Sequence, residues 1–203
     1  MSVKQKYLRD ENGDIFSPIV SASSIITNRD SNSNATIEQI LPYTYRVNSV
    51  SSYSTNLQIF SGSVYNWTMI KIHLLLKTST ISTAKSIYLR FNNSNISGGY
   101  AIDARRRDAN WSSYNTVSLT TNVFLGDVAH DSNTSYLEAT IINGGTWHSF
   151  KSSIGTATSR EDDYSISACS GQFSHSGLGT QLQSIYIPAK QGIQAKGIVQ
   201  IYT

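Results

Sequence analysis

Residues 69–76 read MIKIHLLL, and this stretch decides the fold class. Two sets of residues alternate along it: Ile70, Ile72, Leu74 and Leu76 on one side, and Met69, Lys71, His73 and Leu75 on the other. Alternation over eight residues is typical of a β-strand with one face in a core. Shorter runs of the same kind follow: SIYLRF (86–91), YLEATIIN (136–143), SIYIP (184–188) and IVQIY (198–202).

Turn signals separate these runs and no helical period of ten or more residues appears. The turns are predicted at Asn92-Asn93, Ser97–Gly99, Asn143–Gly145 and Ser176–Gly179. Charged residues make up only 14% of the chain, and Ser, Thr and Asn replace them. Those side chains compete for backbone hydrogen bonds and disfavour helices. The sequence therefore predicts an all-β protein, an antiparallel β-sandwich of jelly-roll-like type. The one helical turn we expect lies at residues 36–41, stopped by Pro42.

Bulk properties narrow the classes of function. The net charge is +3, and apart from Arg105–Arg107 the cations are scattered, so we expect no nucleic-acid partner. The single cysteine, Cys169, cannot form an intrachain disulfide and is predicted to be a buried thiol. No signal peptide opens the chain and no apolar run approaches about 20 residues. We therefore expect synthesis in a cytoplasm and no membrane insertion.

The N-terminal residues predict a small β-hairpin. Asn12-Gly13 lies between hydrophobic residues and would fold Lys6–Leu8 onto Ile15–Phe16, with Pro18 ending the second arm. So small a hairpin needs a partner surface, in this chain or another. We expect residues 1–56 to be an attachment hairpin and linker, and residues 57–203 to be the sandwich.

The phrase KYLRDENGDIFSPIVSASSI, at residues 6–25, resembles the opening of bacteriophage virion proteins of the tail-fibre, baseplate or head-fibre type. The resemblance implies a segment that attaches the chain to the particle. Its apolar residues are Tyr7, Leu8, Ile15, Phe16 and Pro18. It also implies that the protein resides in the virion and contacts other virion proteins through its N-terminus.

A second resemblance covers the strands after residue 70 and the C-terminus. IHLLLKTSTISTAKSIYLRFNN and LQSIYIPAKQGIQAKGIVQIYT are similar to C-terminal jelly-roll modules of phage fibres. The match includes Ile185, Ile187, Gly192 and the closing residues 197–202. The chain departs from the pattern at Ile193 and Lys196, and lacks its terminal Gly. Such modules are commonly trimeric, so the resemblance implies a homotrimer.

Catalytic and metal motifs are weak. The histidines at positions 73, 130, 148 and 175 show no metal-ligand spacing. Carboxylates cluster at 103–108, 127–131 and 161–163, but no pair is set in an aromatic-lined segment as glycan cleavage would favour. No Gly-x-Ser-x-Gly elbow or phosphate-binding glycine motif is present. We expect no enzymatic activity, no metal and no cofactor.

Aromatic and charged residues do combine in two segments that suggest binding. YAIDARRRDANWSSY (100–114) is predicted to be a long excursion between strands, and GGTWH (144–148) a second aromatic tip. Aromatic faces beside fixed polar groups suit shallow sugar or protein surfaces. The predicted ligand-binding residues are Tyr100, Asp103, Arg105, Arg106, Arg107, Trp111, Tyr114 and Trp147. Alternatively, Trp111 and Trp147 are core or subunit-contact residues, and Arg105–Arg107 form salt bridges between subunits.

These observations lead us to expect a bacteriophage virion structural protein, a short tail or capsid appendage whose sandwich binds host-surface glycan. One alternative is a capsid decoration or head-fibre protein without a receptor role. Two others are a polysaccharide-degrading enzyme and a free-standing cellular carbohydrate-binding domain.

Overall fold

The fold consists of β-strands and turns. The computed structural model describes residues 7–9, 15–18, 35–49, 54–78, 85–107, 110–128, 134–156 and 166–203, and within them it contains fourteen strands and no helix. The strands are β1 Tyr7–Arg9, β2 Ile15–Pro18, β3 Ala35–Leu41, β4 Thr44–Ser49, β5 Ser54–Tyr65, β6 Met69–Thr78, β7 Lys85–Phe91, β8 Gly98–Arg107, β9 Asn110–Leu119, β10 Val123–Val128, β11 Thr134–Ile142, β12 Trp147–Thr156, β13 Ile166–Ser174 and β14 Gln181–Tyr202. The predicted all-β antiparallel sandwich is confirmed. No helix in these ranges is long and apolar enough to cross a membrane.

The long strand β14 joins the two layers of the sandwich. Its first part, residues 181–188, pairs with β5 and β7, and β7 pairs with β10. Its second part, residues 193–202, pairs with β4 and β6. From β6 the larger layer continues through β11, β12, β13 and β8 to β9. Strand β10 of the smaller layer packs across β12 and β13 of the larger one.

The core lies between these layers and follows the predicted alternation. Ile70, Ile72, Leu74 and Leu76 of β6 are all buried, as are Ile87, Leu89 and Phe91 of β7. Phe91 stacks on Phe173 of β13, with ring centroids 5.5 Å apart and 7° between the planes. Cys169 is buried, as predicted.

The helical turn expected at residues 36–41 is wrong, because those residues form β3. Strand β3 pairs with β4 through a turn at Pro42-Tyr43, and β4 pairs in turn with β14. Ile37 and Val47 face each other across the hairpin and are buried. Tyr45 packs edge-on against Phe60, 4.9 Å between centroids. Burial against the core outweighs a weak helix signal over six residues.

The β3–β4 hairpin also bears on the division of the chain. Residues 35–49 lie in the larger layer and contribute Ile37, Tyr45 and Val47 to the core. The boundary at residue 57 stays a prediction about separable units. A truncation that keeps this part of the core has to begin no later than Ala35.

A separate two-stranded antiparallel sheet is formed by β1 and β2, at the place of the predicted N-terminal hairpin. Tyr7 pairs with Pro18 and Leu8 with Ser17. The predicted turn at residues 10–14, and residues 19–34, lie outside the described residues. The role of this hairpin in attachment remains a prediction.

Candidate functional site

The segment predicted as an excursion between strands is instead a β-hairpin at the end of the larger layer. Residues 98–107 form β8 and residues 110–119 form β9, paired from Gly99–Leu119 to Arg107–Asn110. Polar composition suggested a loop, but its residues alternate in their exposure. Tyr100 and Ile102 point outward while Ala101 and Asp103 point into the sandwich. The pleat, and not the polarity, determines which of them reach solvent.

Asp103 therefore does not lie on a binding surface of this chain. Its exposed fraction is 0%, and the Ser167 hydroxyl donates a hydrogen bond to its Oδ1 at 3.3 Å. The same hydroxyl oxygen accepts the backbone N–H of Asp127 on β10, at 3.1 Å. Next to this contact, the Ser152 hydroxyl donates to the carbonyl of Leu125, also on β10, at 2.7 Å. Together these bonds connect the two layers of the sandwich.

Tyr100 and Trp147 lie on the same surface. Tyr100 is 49% exposed and Trp147 50% exposed, and both point away from the core. Tyr100 of β8 pairs with Gln172 of β13, and Gln172 pairs with Ser149 of β12. Trp147 is the next outward-facing residue of β12, two positions before Ser149. Strand spacings of about 4.8 Å and a rise of about 3.3 Å per residue place their Cα atoms about 12 Å apart. Two of the predicted binding residues are thus neighbours on a sheet.

For the other predicted binding residues, the structure describes the position in a strand but not the side chain. Arg105, Arg106, Arg107, Trp111 and Tyr114 lie in β8 and β9, but their side chains are outside the described part of the structure. The same holds for the predicted attachment residues in β1 and β2: Tyr7, Leu8, Ile15, Phe16 and Pro18. Their ligand-binding and attachment roles stay predictions.

The surface that carries Tyr100 and Trp147 extends over the whole larger layer, and we call it the outer face. Large apolar side chains are exposed on its other strands: Leu75 of β6, Tyr136 and Ile142 of β11, and Ile198 and Tyr202 of β14. Leu75 pairs with Tyr136, and Ile198 pairs with His73 beside it. Exposed apolar groups that are contiguous, unlike scattered ones, indicate an interaction surface.

Sequence reasoning missed this part of the outer face, although a signal was present. Leu75 occupies an outward position of MIKIHLLL that alternation would assign to a polar residue. Tyr136 occupies the equivalent position of YLEATIIN and is 45% exposed. Apolar residues at solvent-facing positions of a regular strand could have been flagged for binding.

Polar groups on the outer face hold two of the tyrosines in place. The Oη atom of Tyr136 and Nδ1 of His73 are 2.9 Å apart, a hydrogen bond between adjacent strands. The ammonium of Lys71 lies 5.6 Å from the ring centroid of Tyr202, within range of a cation–π contact. His73 thus lies on the outer side of β6, as the alternation predicted. Paired with fixed partners, these rings lose less side-chain entropy when a ligand covers them.

In the second predicted aromatic tip, residues 144–148, one ring faces solvent and the other lies in the core. Trp147 is exposed, whereas His148, next to it, has an exposed fraction of 0%. The His148 ring stacks on Trp67 at 5.7 Å and packs against Phe173 at 5.1 Å between centroids. Neither of its ring nitrogens has a hydrogen-bond partner. Burial first, and nearby His175 second, lower its pKa to about 4, so the ring is neutral at pH 7.

His175 is bound to the backbone at the same end of the sandwich. Its Nδ1 lies 2.8 Å from the carbonyl oxygen of Ser176, and its Nε2 lies 3.1 Å from that of Phe91. Among the described residues no group of three or more His, Cys, Asp or Glu could hold a metal ion. His130 and the carboxylates at positions 131 and 161–163 lie outside the described ranges.

Comparison with known proteins adds no relative to these observations. No family model matches the chain, and neither a curated protein nor a solved structure matches it.

Proposed function

We propose that the chain is a structural component of a bacteriophage particle, a short tail or capsid appendage, and that its sandwich binds glycan on the host surface. The observation that carries the binding role is the outer face, where exposed aromatic and aliphatic side chains stand on a regular sheet. The virion role is supported by the resemblances at residues 6–25 and in the C-terminal strands.

The shape of the outer face suits a flat, extended ligand. Along β6 alone, the outward positions from Met69 to Leu75 span about 20 Å at a rise of about 3.3 Å per residue. Tyr100, Tyr136 and Tyr202 offer ring surfaces with polar tips along this area. Tyrosine rings, which combine an apolar face with a hydrated hydroxyl group, bind sugars and protein surfaces alike. A polymer that contacts several weak points in series gains affinity from their number.

Within the part of the chain that the structure describes, the placement of the carboxylates favours binding over cleavage. Asp103 and Asp127, the carboxylates that the β8 and β10 strands place closest to Ser167, are turned into the sandwich. Glycosidases need two carboxyl groups that flank a bond in an open site. On the outer face, the neighbours of Glu138 on the sheet are His73, Thr140 and Ser153, so no second carboxyl group stands beside it at these positions.

The predicted division of the chain into hairpin and sandwich fits an appendage with a short connection. Only residues 19–34 separate β2 from β3, which leaves no room for a long coiled-coil shaft between hairpin and sandwich. A connection of this length favours a sandwich held close to the particle surface, on the tail or the capsid. As part of the proposal, three copies associate and the N-terminal hairpins dock on other virion proteins.

The binding role is tested with fluorescently labelled full-length chain and cells of the host bacterium. We expect labelling of intact cells, and at least a fivefold loss after periodate oxidation of the surface glycans. The double variant Tyr136→Ser/Tyr202→Ser should lose binding, because it removes two ring surfaces of the outer face. Tyr65→Ser is the matched control, since Tyr65 is 62% exposed but lies on β5 of the smaller layer.

Three results would contradict this proposal. Labelling that periodate does not reduce would exclude glycan as the receptor, and no labelling at all would leave a decoration protein without a receptor role. Release of reducing sugar from the cell-surface polysaccharide would show an enzyme instead.

A further inference from the structure

The outer face carries an excess of positive charge. Four lysines stand on it: Lys71 and Lys77 of β6, Lys151 of β12 and Lys196 of β14. The described side chains of this face include two acidic groups, Glu38 and Glu138. Glu38 forms an ion pair with Arg46, which donates a hydrogen bond to it at 3.1 Å, so only Glu138 offsets the charge of the lysines. The face therefore presents a net positive surface to any ligand.

The lysines form two pairs at different levels along the strands of the outer face. Lys71 pairs with Thr140, which pairs with Lys151, so the two lysines stand two strands apart, or about 10 Å. At the other end, Lys196 pairs with Leu75 and is a diagonal neighbour of Lys77.

The rings and aliphatic groups between these pairs complete the pattern. His73, Ile198 and Glu138 occupy the outward positions between the two lysine pairs, and Tyr136 is level with Lys196. Along the strands, Lys71 is about 13 Å from the level of Lys196 and about 20 Å from Lys77. Cationic points therefore recur along a flat aromatic strip. A linear polymer with charges at intervals matches that pattern, whereas a compact small molecule would reach one pair alone.

We propose that the outer face binds an acidic polysaccharide, with its anionic groups on the two lysine pairs and its sugar rings against Tyr136 and Tyr202. This inference rests on the proposed function and specifies the chemical class of the glycan. Attraction between fixed cations and a polyanion supplies both affinity and a fast association rate, and both fall as salt is added.

Charge also favours an acidic polysaccharide over two other ligands of the outer face, a second copy of the chain and nucleic acid. A second copy of the chain laid face to face on the same surface would bring lysines against lysines, and like charges in an interface are unfavourable. Nucleic acid is favoured by arginine forks on phosphate, but Arg46 of this face is engaged by Glu38.

The test measures binding of the full-length chain to polygalacturonate, a regular carboxylated polysaccharide, and to dextran, a neutral one. We expect binding to polygalacturonate at least about tenfold tighter, and about tenfold weaker binding for Lys71→Ser/Lys151→Ser, since each exposed charge pair contributes a modest share. Lys71→Arg/Lys151→Arg, which keeps the charge, should stay within about threefold of the parent chain. The control Arg90→Gln removes one cation from the smaller layer, where Arg90 donates to Asn122, and should change nothing.

Each other outcome overturns the inference in a recognisable way. Equal affinity for dextran and polygalacturonate, or no effect of the lysine variants on it, would show that charge is not recognised, while binding to host glycan could still hold. Tighter binding of a single-stranded oligonucleotide than of polygalacturonate would identify a nucleic-acid surface. A lysine variant that changes the solution mass would identify a contact between copies. Unfolding temperatures equal to that of the parent chain confirm that the variants are folded.

Discussion

The imidazole of His148 lies against the indole of Trp67, with ring centroids 5.7 Å apart and 22° between the planes. The contact is buried, and the indole Nε1 donates to the carbonyl oxygen of Leu178 at 2.7 Å, whereas the imidazole nitrogens donate to and accept from no group. A titratable side chain therefore serves as an apolar core residue at this end of the sandwich. The free energy of unfolding must then depend on whether it carries a proton.

We predict that stability falls between pH 6.5 and pH 4 because of His148. In the unfolded chain the histidine takes up a proton near its ordinary pKa of about 6.5, and in the folded chain only at about 4. The unfolded state thus binds more protons in this window, so acidification favours it, by up to about 3 kcal/mol in total. Below about pH 4 both states are protonated and this contribution changes no further.

The measurement is the free energy of unfolding by urea at pH 7, 5.5 and 4. His148→Phe keeps a ring between Trp67 and Phe173 but cannot be protonated, so the variant should gain stability relative to the parent as the pH falls. His73→Gln is the control, because His73 lies on the outer face and hydrogen-bonds Tyr136 there. An equal pH dependence for the parent and His148→Phe would refute the assignment.

The turn after β7 makes a matched pair of variants possible. Asn92 and Asn93 both have positive φ, 50° and 52°, as a type I′ turn requires. The Asn92 carboxamide also bonds to β14: Oδ1 accepts the N–H of Gln183 at 2.7 Å, and Nδ2 donates to the carbonyl of Gln181 at 2.8 Å. Asn92→Gly should cost about 2 kcal/mol through these lost bonds. Asn93→Gly should be neutral or slightly stabilising, since glycine suits that position. Thermal unfolding of the two variants checks this, and similar losses at both positions would count against it.

Asn143 joins three turns at the end of the sandwich that holds His148. Its Nδ2 donates to the carbonyls of Trp67, at 2.7 Å, and Gly179, at 3.0 Å, and its Oδ1 accepts the N–H of Gly145 at 2.9 Å. Asn143→Asp is nearly isosteric but would place a carboxylate oxygen against two carbonyl oxygens. It should therefore destabilise by about 2–3 kcal/mol, and at least as much as Asn143→Ala. A milder effect of the aspartate in urea unfolding would show that the donor bonds contribute little.

Ser167 is predicted to stabilise the contact between layers. Ser167→Ala removes the bonds to Asp103 and to the backbone N–H of Asp127, and should cost about 1–3 kcal/mol. Ser170→Ala, on the outward side of the same strand, should cost less than about 0.5 kcal/mol. Glycan binding should be unchanged in Ser167→Ala, since Ser167 and Asp103 are both buried away from the outer face. A Ser167→Ala variant that is fully stable but loses binding would restore Asp103 to the binding site.

Period-two patterns predicted the core strands from the sequence because each residue's neighbour on the same face lies two positions away. Ile70 to Leu76 and Ile87 to Phe91 were identified in this way. The turn at Asn92-Asn93 was identifiable because its side chains stabilise positive φ. These features depend on interactions close in sequence, which composition and spacing express directly.

Features that depend on distant pairing were not predictable in the same way. Strand β3 exists because it pairs with β4 and packs against β5, and β4 is itself held by β14, which lies more than 140 residues further along the chain. The sequence analysis placed Trp147 and His148 together in one aromatic tip, and did not predict that His148 turns into the core while Trp147 stays exposed. In β8, likewise, it could not show that Asp103 turns inward while Tyr100 stays in solvent. Which face of a strand is covered is determined by the whole assembly of layers.

The most direct test of the virion assignment is to look for the chain on purified particles. Antibody raised against residues 35–203, coupled to gold, would be applied to phage banded in a density gradient and viewed by electron microscopy. The proposal predicts gold at fixed positions on the tail or capsid, lost when the chain lacks residues 1–34. Particles without gold, together with all of the chain in the unbanded fraction, would contradict it.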